Sequence, residues 1–348
     1  MTAGPPGAVA ESAIPEHLRT ERTRHRRIPD DYAPPYPSFV ARSSTQVRQV
    51  VMAYLGLQFT GELPASALNV LDAAFAGDDG PGHHDRARQV HPDGTVDVVS
   101  IAYWDDPAAF DRWFAVHRES WLGDRARDGY GRWAEVLRPT VEGHETLFSA
   151  LGSPEGVAVL ADGFSGEIQE HGYWGGMRDR IPLSQTDAMA PAGEPVVERD
   201  GGRVRVRAGR GICLIRSGQD WTDTDGDERA MYLDDVEPVL RAGMDFLRDE
   251  GHSIGCYCNR YLTVLEGGEP VDRSFGMSWW RGLDALERWS ESHPTHLAIF
   301  GAAMKYLTTM GPAARLRLYH EVSVAGADEQ YFEYVDCREG TGLAGAGS

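Results

Sequence analysis

One constant shift of 176 residues, about half the chain, lays Trp104, Ala109, Arg112, Trp113 and His117 over Trp280, Ala285, Arg288, Trp289 and His293. The same shift lays His144-Glu145 over His320-Glu321. Seven identities at one offset, in strand and helix settings, point to an internal duplication, which restricts the fold more than any other feature of the 348 residues. Each half then has the order of a split β-α-β unit. Two such units packed sheet to sheet give an α+β barrel of two ferredoxin-like halves with helices outside.

Apolar patterning supports that order. VVMAYLGLQF (50–59), VDVVSIAYW (96–104), GICLI (211–215), IGCYCNRYLTVLE (254–266), RLRLYHEVSV (315–324) and YFEYV (331–335) read as strands. Helices are expected at about 107–121, 226–250 and 282–308. The second carries Leu233, Val236, Leu240, Met244 and Leu247 on one side, starts at Asp225 and ends at Gly251. Residues 1–45 combine a basic cluster, Arg19 to Arg27, with Pro-rich DDYAPPYPSF, which favours an extended arm laid across the body. The expected division is that arm, a first α+β half at 46–170 and a second at 171–348, joined as one compact unit.

Thirty-four Lys and Arg against 53 Asp and Glu leave a net charge of −19. A field of that sign repels phosphate backbones and anionic membranes, so nucleic acid and membrane partners are not expected. No apolar run approaches the roughly 20 residues of a membrane span, and the N-terminus has no signal-peptide core, so the expected compartment is the cytoplasm. Cys213, Cys256, Cys258 and Cys337 form no C-x-x-C pair, which removes zinc and covalent haem motifs and makes a structural disulfide unexpected. Nucleotide, α/β-hydrolase and zincin signatures are also missing.

The repeat supplies its own control, because a residue kept in both halves reads as structural. Trp104/Trp280 and Trp113/Trp289 are therefore expected in the core, and His293, matched by His117, reads the same way. His296 differs, since its counterpart is Ser120. In ESHPTHLAIF it follows His293 by three residues, nearly on the same helical face, with Pro294 suited to a first helical turn. His296 is either a satisfied core or surface histidine or the axial ligand of an iron porphyrin. In LRLYHEVSV, His320 shares a strand face with Leu318 and Val322, opposite Tyr319 and Glu321. It is either a hydrogen-bonded core residue or, beside a cleft, a proton shuttle. HGYWGGMRDR (171–180) places Gly175-Gly176 beside Arg178 and Arg180, and LIRSGQDW puts Ser217 before Gly218. Each fits a ligand-approaching loop or an ordinary turn.

At these four motifs the chain resembles the haem-containing aldoxime dehydratases, the phenylacetaldoxime dehydratase family. The resemblance runs from ESAIPEHL through PPYPSFVAR, VVMAYLGLQF, YWDDPAAFDRW and MDFLRDEG to FEYVDC, and GAAMKYLTTMGPAAR departs from the family pattern. The resemblance implies dehydration of R–CH=N–OH to the nitrile and water on non-covalent haem b in the ferrous state. It implies His296 as proximal ligand, His320 as distal acid/base, Arg178 and Ser217 on the oxime hydroxyl, and Glu145, or alternatively Glu142, as a supporting carboxylate. It also implies a homodimer of two-half α+β barrels. A haem peroxidase on a related barrel, using His320 and Arg178, and a non-catalytic haem carrier are the rival readings.

Overall fold

The computed structural model describes residues 10–123 and 129–346, so the first nine residues of the expected arm lie outside the described residues. After β1 (Ala41–Arg42), the chain forms β2 (Val51–Phe59), α1 (Ala65–Phe75), β3 (His83–Val90), β4 (Val96–Trp104), α2 (Pro107–Leu122), β5 (Gly131–Leu137) and β6 (His144–Phe148). A connecting stretch holds β7 (Gly163–Phe164), α3 (Gly176–Arg180), β8 (Val196–Asp200) and β9 (Arg203–Arg207). Then come β10 (Ile212–Asp220), α4 (Gly226–Met231), α5 (Glu237–Asp249), β11 (Cys256–Glu266) and β12 (Glu269–Trp280). The chain closes with α6 (Leu283–Ser292), α7 (Pro294–Met310), β13 (Arg317–Ala325) and β14 (Gln330–Val335). Helix and sheet are mixed, as an α+β fold requires. Among the described residues no helix is long and apolar enough to cross a membrane, and all four cysteines are free.

Twelve strands form one sheet in the order β6-β13-β10-β12-β11-β3-β4-β2-β5-β14-β9-β8. Two runs of five share a pattern: β3-β4-β2-β5-β14 and β11-β12-β10-β13-β6. The first run ends on β14, from the C-terminal end of the chain, and the second ends on β6, which precedes all its other strands in sequence. Met52, Tyr54, Ile101 and Tyr103 of the first run pack with Leu214, Phe275, Met277 and Trp279 of the second in one interior cluster. The opposite faces bury Val51, Ala53 and Leu55 under α1 and α2, and Cys213, Trp280 and Val322 against α5 and α6. A strand covered on both faces must be apolar at every position, which is why β2 is buried from end to end.

The two runs also correct the sequence reading. Trp104 lies 5.2 Å from Trp113 and Trp280 lies 5.5 Å from Trp289, ring to ring, and all four are buried, as the 176-residue shift implied. His144 and His320 are not counterparts, however. They sit on β6 and β13, which are hydrogen-bonded neighbours, and by strand order β13 corresponds to β5. The helix expected at 282–308 is two helices. His293 has φ −78° and ψ 134°, outside the helix, and its ring accepts the Thr295 N–H as the cap of α7, with Pro294 at the first helical position. His293 and His296 therefore do not share a helical face. The helix expected at 226–250 contains a π-turn over 232–236, which turns Leu233 to solvent while Val236, Leu240, Met244 and Leu247 stay buried. The strand expected at 211–215 runs on to Asp220, and β3, β5, β6 and β12 carry too many charged or small residues to announce themselves.

A buried ion pair joins the two runs. Arg260 on β11 donates to both oxygens of Glu135 on β5 at 2.7 and 2.8 Å, and Trp279 Nε1 and Tyr334 Oη donate to the same carboxylate. Both charges are buried. Removing one partner strands the other in the interior, so Glu135→Ala should cost about 3–5 kcal/mol in urea unfolding, whereas Glu135→Leu combined with Arg260→Met should recover most of that loss. A single variant within 1 kcal/mol of wild type, by order of magnitude, would show that the pair does not tie the runs together.

Candidate active site

Antiparallel pairing of β10 with β13 sets Ser217 opposite His320 and Arg216 opposite Glu321. Alternation along the strands then separates two polar sets. Arg216 and Glu321 turn into the interior, where Tyr103 Oη donates to Glu321 at 2.5 Å and accepts from Arg216 at 2.7 Å. Ser217 and His320 turn the other way and line a cavity of about 620 Å³. That size is in the range of ligand and cofactor pockets. Leu240, Met244, Leu286 and Ile299 form much of the apolar wall, and His296 lines the same cavity from the first turn of α7.

His320 belongs to a tight polar cluster. Its Nε2 lies 3.0 Å from Glu145 Oε1 and 2.9 Å from Arg180 Nη2. Arg180 Nε and Nη2 also donate to Glu145 at 2.7 and 3.1 Å, and Nη1 donates to the Glu170 carbonyl at 2.8 Å. Glu145 is placed by β6, whose register sets Glu145 beside Val322 and Leu147 beside His320. Burial by itself would push the Glu145 carboxyl up, but the charge of Arg180, then that of His320, brings it down to about 2. Nε2 therefore has two partners that favour opposite states. Protonated, it donates to Glu145. Unprotonated, it accepts from Arg180. Nδ1 takes no partner among the described residues, which leaves it free to exchange a proton with a molecule in the cavity.

Arg178 is elsewhere. On the one-turn helix α3, residues two apart point in different directions, and Arg178 donates twice to Glu287 through Nε at 2.9 and 3.1 Å, once through Nη2 at 2.6 Å, and to the Ala188 carbonyl at 2.8 Å. It ties α3 to α6, and the guanidinium of the cluster is that of Arg180. The motif offered both arginines, and nothing in its composition says which one faces inward. Glu142 sits in the turn before β6 and lines no part of the cavity, so Glu145 is the carboxylate brought to His320. Sequence reasoning singled out neither Gln219, Asn259 nor Tyr36, polar residues of the cavity wall that sit inside LIRSGQDW, IGCYCNRYLTVLE and PPYPSFVAR with nothing in those stretches to mark them as inward-facing.

Across the cavity, burial lowers the His296 imidazole to about pKa 4, against a weak opposing contact with the Ser290 backbone, so the ring is neutral at physiological pH. Its Nδ1 is buried with no hydrogen-bond partner. Trp289 packs edge-to-face against the ring at 4.6 Å and is itself held by an indole N–H bond to Thr295 Oγ1 at 3.0 Å. A neutral, sterically fixed imidazole on an apolar wall is the donor that an iron porphyrin's axial position requires, so these residues fit haem.

The cluster makes a pH prediction. Glu145 has a folded-state pKa below the usual 4.5, so its ionised form stabilises the fold above that pH and the contribution disappears as pH falls toward about 2. The stability difference between wild type and Glu145→Gln, measured by urea unfolding, should be flat from about pH 6 to 8 and shrink below about 4.5. A difference that grows on acidification would contradict the pairing.

The family model for haem-containing dehydratases matches residues 53–343. An aliphatic aldoxime dehydratase of Rhodococcus globerulus is 47% identical over 345 residues, covering 96% of this chain and 97% of that protein. A phenylacetaldoxime dehydratase of Bacillus sp. (strain OxB-1) is 33% identical over 330 residues, covering 91% and 93%. The crystal structure of an aldoxime dehydratase in complex with butyraldoxime superposes with a TM-score of 0.92 at 45% identity, covering 98% of each chain. A cavity fitted to haem, bearing a histidine, carboxylate and guanidinium cluster, thus occurs in a chain that matches these proteins over nearly its whole length: it belongs to the haem-containing dehydratase family.

Proposed function

We propose that the protein dehydrates aldoximes, R–CH=N–OH, to nitriles and water, with aliphatic substrates preferred. The observation that carries this reading is that His320, with Glu145 and Arg180 behind it, lines the same cavity as His296 and Ser217. The relatives at 44–47% identity are aliphatic aldoxime dehydratases, whereas the phenylacetaldoxime enzyme stands at 33%.

Haem b held by His296 supplies, when bound in the ferrous state, a metal that polarises the oxime nitrogen and feeds electron density toward the N–O bond. The chain's own residues manage the proton. Hydroxide is a poor leaving group, so the oxime oxygen must be protonated as the N–O bond breaks. Ser217 offers a hydroxyl to that oxygen, and imidazolium His320 gives it a proton, so that water leaves. The now neutral His320 takes the proton from the aldoxime carbon as the C–H electron pair completes the triple bond. One proton is lent and one recovered, and no oxidant or reductant is consumed. With Nδ1 exchanging the proton, Nε2 keeps its hydrogen and its bond to Glu145 through the cycle, which stabilises the charged ring and orients the neutral one, while Arg180 holds that carboxylate in place.

The resemblance extends this reading to a cytoplasmic homodimer. We also read the two five-stranded runs as ferredoxin-like halves of an internal duplication, closed into one barrel and crossed by the N-terminal arm.

Anaerobic mixing of dithionite-reduced holoprotein with butyraldoxime and with phenylacetaldoxime, followed by nitrile assay, tests the proposal. Nitrile should form from both, faster from butyraldoxime, and a protein that makes neither while oxidising phenols with peroxide would be a peroxidase instead. His320→Ala should keep haem and its aldoxime-dependent Soret shift but lose activity by about 10² to 10⁴ or more, since one residue serves two proton transfers. Retention of more than about a tenth of wild-type turnover would remove His320 as the shuttle. Arg180→Gln should cost far more activity than Arg178→Gln, whose effect should follow thermal stability. His296→Ala should purify without stoichiometric haem whereas His293→Ala retains it, and a full Soret band in the first variant would overturn the ligand assignment.

A further inference from the structure

Haem b carries two carboxylates on one edge of the ring, and each must meet a cation, a hydrogen-bond donor or water when the rest of the ring is buried. If the cavity is the haem site, as proposed above, its lining must supply the group that meets them. Among the described residues that line it, the guanidinium groups are those of Arg27 and Arg180. Arg180 is committed: its guanidinium serves both oxygens of Glu145, the Glu170 carbonyl and His320, and its side chain is buried.

Arg27 is placed differently. It belongs to the N-terminal arm and stands at the cavity wall with Pro29 and Tyr36, its side chain 42% exposed. Its main chain is fixed. The N–H groups of Arg27 and Ile28 donate to Asp179 Oδ2 at 2.8 and 3.1 Å, and Tyr173 Oη donates to the same oxygen at 2.8 Å. Asp179 is almost wholly buried, and the arm is held again upstream, where the Thr23 and Arg24 N–H groups donate to the Gln185 carbonyl. Its guanidinium, by contrast, is paired with half-buried Glu291 and lies 3.8 Å from Glu287, beyond hydrogen-bond distance. Glu287 is already engaged by Arg178. A backbone pinned by a buried carboxylate and a partly exposed guanidinium whose carboxylate partner is Glu291 make a cation with N–H donors left for a ligand at the cavity wall, without moving the arm. The charge pattern agrees in sign, because in a protein of net charge −19 the basic run Arg19 to Arg27 is a local attraction for a dianionic edge.

We infer that Arg27 is the counter-ion of a haem carboxylate, which makes the N-terminal arm part of the cofactor site. The test is the rate at which ferric holoprotein surrenders haem to excess apomyoglobin. Because the pair is partly solvated, Arg27→Gln should release haem about fivefold faster than wild type, and Arg27→Lys should restore part of the difference. Arg26→Gln removes an arm cation that pairs with Glu170 and does not line the cavity, and should leave the rate unchanged. The deciding comparison uses haem dimethyl ester, whose carboxylates are blocked. Wild type and Arg27→Gln should release the ester at equal rates. Equal acceleration for haem and for its ester would mean that Arg27 acts only by holding the arm, and no acceleration with haem would remove it from the site; either result overturns the inference. Failure of the haem-site reading itself would register separately, as a full Soret band in His296→Ala.

Discussion

The register between β10 and β13 is the constraint on which the site depends. It sets Ser217 against His320 and Arg216 against Glu321, so a slip of one residue would exchange the cavity set for the interior set. The interior set makes such a slip costly. Arg216 is wholly buried, bonds to Tyr103 and Asp85 and lies over the Phe275 ring at 4.2 Å, while Glu321 accepts from Tyr103 and from the Val157 N–H. The polar network behind the strands thus keeps the cavity-lining face in place. It also explains why charged residues sit in an interior between the two runs that would otherwise be apolar.

Each functional group reaches the cavity from a different element, by a different local device. His320 and Ser217 are held by strand alternation, Glu145 by the pairing of β6 with β13, and Arg180 by a short helix whose cap, Gly175, adopts φ 101°. His296 is held by the break at Pro294, which begins a new helix two residues before it. A Cβ on Gly175 would come within 2.5 Å of Arg27, so that glycine also permits the arm to pass close to the loop that delivers Arg180.

Much of this was legible in the sequence, and the failures share a physical cause. Strands buried on both faces, such as β2 and β4, are continuous apolar runs and were found almost to the residue. β3, with HHDRARQV, and β12, which begins EPVDRS, escape the pattern because their polar residues answer to partners on other elements, such as Asp72, Arg216 and Arg229, which periodicity does not register. The tryptophan pairs followed the 176-residue shift because packing against a helix repeats wherever the helix repeats. The match of His144-Glu145 with His320-Glu321 failed because an additional helix, α7, lengthens the second half ahead of β13 and moves the true strand counterparts out of that register. Arg178 and Arg180 could not be separated because side-chain direction on a single helical turn depends on how that turn docks.

The exchange of fifth strands has a consequence for how the chain is made. During synthesis, β5 emerges with β2 beside it, but its other edge waits for β14, whose last residue is Val335, about 200 residues later in the sequence. Until then GRWAEVL presents an unsatisfied backbone edge, the kind of surface that pairs with other chains. β6 likewise waits for β13, so Glu145 has no histidine to meet until nearly the whole polypeptide has left the ribosome. Completion of both five-stranded runs and assembly of the His320, Glu145 and Arg180 cluster are therefore late events, and a nascent chain stalled before β13 carries β5 and β6 with edges still waiting for their partners.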